Sequence, residues 1–165
     1  MSEITEMLNK IESWCYKNKN SGSVKVKPGL TEEEINSIFS NSTFSKKKLF
    51  LPEEIFLLYQ WGNGGGYRFN LEHSCCAEYY FYPFEYAMQQ AEDFNQYLQK
   101  HSKKEKIEYI FPIVEEDGAF IWTILDKKKT CFSPLYYNDE FIMNTPNYFS
   151  LAAMLESIIL KLKIN

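Results

Sequence analysis

The chain has 165 residues, 45% of them hydrophobic and 24% charged, the balance of a single globular domain with a substantial core rather than of a disordered or fibrous chain. Lys plus Arg number 18 against 22 Asp plus Glu, a formal charge of −4, and Arg68 is the only arginine, so the bidentate fork of groove readers and phosphate clamps is nearly missing and nucleic acid is not the expected partner. No apolar run approaches the ~18 residues of a membrane span, and four cysteines behind an acidic, amphipathic N-terminus predict a cytoplasmic chain with free thiols and no membrane partner.

Ile4, Met7, Leu8, Ile11, Trp14 and Cys15 recur at helical spacing from Glu3 to about Lys17, with Ser2 as N-cap. Lys17 to Gly29 carries almost no apolar pattern and reads as a flexible connection. Thr31 and Glu34 form a capping box at the start of a second helix. After the Lys46-Lys47-Lys48 run, Pro52 suits a first helical position, Ile55, Leu58 and Tyr59 share a face, and Gly62 is placed to end this third helix in the left-handed conformation.

The period then shortens. Tyr67, Phe69 and Leu71 alternate with Arg68 and Asn70, and a second strand-like run follows from Glu78 to Phe84. Ala87, Ala91, Phe94 and Leu98 restore helical spacing. Three more strand-like runs follow, Ile107 to Val114, Phe120 to Leu125 and Thr130 to Tyr137, joined by turns short enough for hairpins. Ser150 caps a last helix with an apolar stripe of Leu151, Met154, Leu155, Ile158, Ile159 and Leu162. The expected class is α+β in one domain over residues 1–165: a central antiparallel sheet of about five to six strands flanked by N- and C-terminal helices.

Gly62-Asn63-Gly64-Gly65-Gly66 follows a helix and opens a strand, the reverse of a phosphate loop, so it reads as a helix stop and a tight turn. His73, Cys75 and Cys76 lack the spacing of a zinc knuckle, and His101 is the only other histidine; no metal, cofactor or catalytic residue is assigned, and the role of Cys75 and Cys76 stays open. The carboxylates at Glu32 to Glu34 and at Glu53-Glu54 lie in first turns of helices, where the macrodipole favours them. Glu115-Glu116-Asp117 has no helix to serve and reads as a hairpin tip or an acidic contact point. In Glu78-Tyr79-Tyr80-Phe81-Tyr82 both faces of one strand are aromatic, and Tyr136 and Tyr137 likewise point to opposite faces, so rings are left for a covering helix or for a partner.

The ordered set of a capped helix at Leu30-Thr31-Glu32-Glu33-Glu34-Ile35, Leu51-Pro52-Glu53-Glu54 opening a helix that leads to Asn63-Gly64-Gly65, then Phe111-Pro112-Ile113, Asp117-Gly118 and Ser150-Leu151, resembles the SUKH superfamily from about Leu30 to the C-terminus. That family includes bacterial immunity proteins, which bind and neutralise a toxin, and fungal regulators of cell-wall synthesis; it brings no catalytic residues to carry over. The resemblance implies a non-enzymatic immunity protein whose partner is a cognate toxin. The acidic balance favours a basic toxin such as a nuclease, and Tyr80, Tyr82, Glu115, Glu116 and Asp117 are the candidate contact residues. A regulatory protein-interaction module is the alternative.

Overall fold

The computed structural model describes residues 2–18, 25–69, 77–101, 109–116, 119–137 and 145–164. Among these the chain runs α1 (Glu3–Lys17), α2 (Glu32–Ser40), α3 (Thr43–Lys46), α4 (Glu53–Trp61), β1 (Gly65–Phe69), β2 (Ala77–Phe81), α5 (Phe84–His101), β3 (Tyr109–Glu116), β4 (Ala119–Leu125), β5 (Tyr136–Tyr137) and α6 (Leu151–Lys161). The five strands form one antiparallel sheet in the order β1-β2-β3-β4-β5, and helices flank it at both termini, which is the α+β architecture expected.

Local signals start the helices. The Ser2 and Ser150 hydroxyls accept the N–H groups of Thr5 and Ala153 at 3.2 and 3.0 Å, each relieving an orphan donor. Thr31 and Glu34 complete both bonds of the capping box, at 3.2 and 2.7 Å. Ile4, Met7, Leu8, Ile11 and Cys15 of α1 are buried, as are Leu151, Met154, Leu155 and Ile158 of α6, and α1 packs on α6 and α4. One face of the sheet completes this core. Phe81, Val114 and Ile121 stand side by side in the β2-β3-β4 ladder and are all buried in it.

Helix α5 runs beside β3 and takes over where β2 stops. On the N-terminal side of Ile113, whose carbonyl accepts the Tyr82 N–H at 3.2 Å, the β2-side backbone of β3 meets no strand among the described residues. The buried Asn95 supplies the missing partner: its Nδ2 donates to the Ile110 carbonyl at 2.8 Å and its Oδ1 accepts the Ile110 N–H at 3.1 Å. A buried strand residue thus keeps both backbone bonds without a strand.

Several local expectations change. Thr130 to Tyr137 contributes only Tyr136–Tyr137 to the sheet, because the Thr130 and Cys131 carbonyls accept the Glu53 and Glu54 N–H groups that open α4. The strand expected from Glu78 to Phe84 is Ala77–Phe81, and Phe84 already begins α5, three residues before Ala87. Asn63 explains that early start, since its Oδ1 accepts the Phe84 N–H at 2.7 Å. Gly62 is extended, with φ −159°, because it bridges to Pro28; the left-handed glycine is Gly64, with φ +86°. Pro52 is the N-cap rather than the first helical residue. The short α3 was not anticipated. Residues 25–29 at the end of the expected flexible connection are tied down by the Pro28 bridge and by the Lys27 N–H, which donates to the Gly64 carbonyl at 2.9 Å.

Candidate functional site

Strand alternation divides the aromatic run of β2 between two environments. Phe81 enters the core, whereas Tyr80 lies in register with Glu115 of β3, which in turn lies opposite Phe120 of β4. Tyr80, Glu115 and Phe120 therefore form one row across the sheet, on the face opposite to that of Phe81. Tyr82 follows directly after β2 and is only 5% exposed. Its hydroxyl donates to Glu115 Oε2 at 2.9 Å. Burial first, then this bond and the charge of Glu115, push the Tyr82 hydroxyl well above the ordinary phenol range, so it stays protonated and acts as a donor.

Around Tyr82 the rings interlock. Tyr80 meets it edge-on at 6.4 Å between centroids, Tyr86 is tilted against it at 5.0 Å, and Phe120 lies at 6.2 Å and in turn meets Phe94 at 6.5 Å. Tyr80 is 40% exposed and Tyr86 48%. The result is a two-layer arrangement in which a buried tyrosine, fixed by a carboxylate, braces two exposed ones. Rings held this way lose little further rotamer freedom on contact, which is the property of a binding anchor.

The expected contact residues separate accordingly. Tyr80, Tyr82 and Glu115 come together. Tyr82 is buried beneath the exposed rings. Glu116 holds the register position opposite Tyr79 and Ala119, and Asp117 lies outside the described residues. Tyr86 was missed because it fell in the gap between the expected strand and helix. Its spacing of eight from Phe94, about two turns along one helix, was the available signal. Tyr136 stacks on the buried Trp122 at 4.7 Å, while Tyr137 is exposed, as their opposite faces require.

The remaining motifs have structural roles. Gly64 and Gly65 hold positive φ, with Pro83 and Val26 where a side chain would stand. Asn63 caps α5 and reaches Glu85 at 3.3 Å. Glu54 is buried and accepts four hydrogen bonds, from the Ser133 N–H and hydroxyl and from the Leu151 and Ala152 N–H groups. It therefore serves the first turn of α6, not only that of its own helix. Cys15 is buried, and burial followed by Glu12 pushes its thiol up to about 12, whereas Cys131 is exposed. His73, Cys75 and Cys76 lie outside the described residues, and His101 stacks on Tyr97 at 4.5 Å. Among the described residues no group of three His, Cys, Asp or Glu side chains is placed to hold a metal ion, and no helix is long and apolar enough to cross a membrane.

Compared with protein-family models, curated proteins and solved structures, the chain has no significant match.

Proposed function

We propose that this chain is a cytoplasmic immunity protein that neutralises a cognate bacterial toxin, a basic one such as a nuclease, by direct stoichiometric binding and without catalysis. The observation that carries the reading is the pair of exposed rings, Tyr80 and Tyr86, braced from beneath by Tyr82 on Glu115. The SUKH resemblance supplies the class, and the acidic balance of the chain supplies the charge preference. A nanomolar complex needs about −12 kcal/mol, which an interface of about 800 Å² per partner provides when a few buried aromatic anchors dominate.

The test is co-expression with the product of the gene immediately upstream, read as rescue of growth and co-purification of a one-to-one complex. Rescue with a complex supports the reading. Two folded proteins that neither associate nor rescue growth overturn it and leave the regulatory interaction module in its place.

A further inference from the structure

At the end of the sheet opposite Glu115 the charge reverses. Phe50 and Asp126 form an isolated bridge, with the Phe50 N–H donating to the Asp126 carbonyl at 2.8 Å. That bond brings Lys46-Lys47-Lys48 beside Lys127-Lys128-Lys129, two triplets that the sequence separates widely, and all six lysines are exposed. Lys47 is partly engaged, donating to the Tyr109 hydroxyl at 3.0 Å. Between the triplets stands Phe50, 43% exposed.

Phe50 is also the end wall of a groove of about 540 Å³ between α2 and α4. Ile35, Phe39, Phe56 and Leu57 line its apolar floor, and Lys129 stands at its rim. The Leu30 N–H donates to the Tyr59 carbonyl at 2.9 Å, which sets the start of α2 beside the end of α4 and makes the two helices antiparallel walls. Glu53 lies near Lys129, and Glu32 lines the groove from the first turn of α2, near its far end. The groove is thus mixed, apolar at Ile35, Phe39, Phe56 and Leu57 and polar at Glu32, Asn36, Glu53 and Gln60; Lys129 is the lysine that lines it, and the other five are exposed in the two segments joined by the Phe50–Asp126 bridge.

We infer that this groove is a second docking site, independent of the tyrosine face, for a segment of a protein partner that carries apolar side chains followed by carboxylates at one end. The concave apolar floor takes side chains, which a flat bilayer does not offer. The lysine mouth gives the segment its direction, carboxylates toward Phe50 and away from Glu32. About 20 Å of β3, from Tyr109 to Glu115, separates this end of the sheet from Glu115, so two partner segments can be held at once.

The probe is a fluorescein-labelled peptide of Leu-Phe-Leu-Leu followed by three glutamates, titrated against the full chain by anisotropy. Its control is a twin with three lysines in place of the glutamates. Expected are saturable binding of the acidic peptide, at least tenfold weaker binding of the basic twin, and loss of affinity as salt rises. Reversing Lys127→Glu, Lys128→Glu and Lys129→Glu together lowers affinity at least tenfold, and Phe50→Ser about tenfold, with unchanged thermal unfolding. The salt series on the unaltered protein stands even where a variant unfolds. Equal binding of both twins, binding indifferent to salt, or no binding overturns the site. Capture by vesicles containing phosphatidylglycerol, but not by phosphatidylcholine alone, together with no peptide binding, also overturns it and assigns the lysines to an anionic lipid surface.

Discussion

Glu54 caps a helix that begins 97 residues further along the chain: its Oε2 accepts the Leu151 N–H at 2.9 Å while also holding the Ser133 N–H at 2.8 Å. One buried carboxylate thereby joins the first turn of α4, the first turn of α6 and the segment that leads into β5. Its charge sits where the macrodipole of α6 is positive, and its donors replace the water it has lost.

Replacing Glu54→Gln keeps the size but sets an amide NH2 against backbone donors. We expect a loss of about 2–4 kcal/mol in urea unfolding, with an unchanged m-value. A loss below about 0.5 kcal/mol would show that these bonds do not hold the two helices.

Tyr80 and Tyr86 should behave differently from Tyr82. Alanine at either exposed ring is expected to weaken binding of the proposed toxin partner by about 2 kcal/mol, about thirtyfold in Kd, with little change in stability. Tyr82→Phe keeps the ring and removes the donor to Glu115, so about 1 kcal/mol of stability is lost and binding falls less. Isothermal titration beside thermal unfolding separates the two. Equal effects on binding and stability at all three positions would rule out the two-layer arrangement.

Stability should fall at alkaline pH. The Cys15 thiol is raised from 9.0 to about 12 by burial and then by Glu12, so the unfolded chain releases this proton first. Its contribution is complete below about pH 9 and is lost as pH rises from there through about 12. Tyr82 and Tyr59, both raised by burial, add to the loss above the ordinary phenol range. Urea midpoints measured from pH 7 to 11 check this: in Cys15→Ala the decline between pH 9 and 10 should be shallower. Brief alkylation at neutral pH followed by peptide mapping should mark Cys131 and spare Cys15.

Gly65→Ala is expected to cost about 2–3 kcal/mol or more, because φ is +141° and the new Cβ would stand 2.6 Å from the Val26 Cα. A variant as stable as the parent would show that residues 25–27 do not pack here.

What could be read beforehand was what the chain decides locally. The caps at Ser2, Thr31 and Ser150 and the apolar stripes of α1 and α6 lie within a few residues of their effects, and these helices stand where the spacing put them. The β3-β4 hairpin is of the same kind. Thr130 to Leu135 has strand-like composition, but the backbone of Thr130, Cys131 and Ser133 is claimed by the opening turn of α4, nearly 80 residues away, and that of Leu135 by Asn147 and Tyr148. Glu54 looked satisfied by its own helix, and nothing nearby announces Ser133 or Leu151. In the candidate site, Tyr80, Tyr82 and Glu115 could be named but not ranked, since which ring is braced and which is bare depends on Tyr86 and Phe120, brought in by other elements. The lysine triplets were visible only as separate solvated turns.

Asn95 has a meaning beyond the bonds it completes. A strand left half-paired is a template on which another chain can lay its own backbone, the first step of edge-to-edge aggregation. By filling the Ile110 donor and acceptor with a side chain on α5, the fold leaves that stretch of β3 nothing to offer an incoming strand. Asn95→Leu would reopen the template, and its consequence in the cell would be lost solubility at high expression.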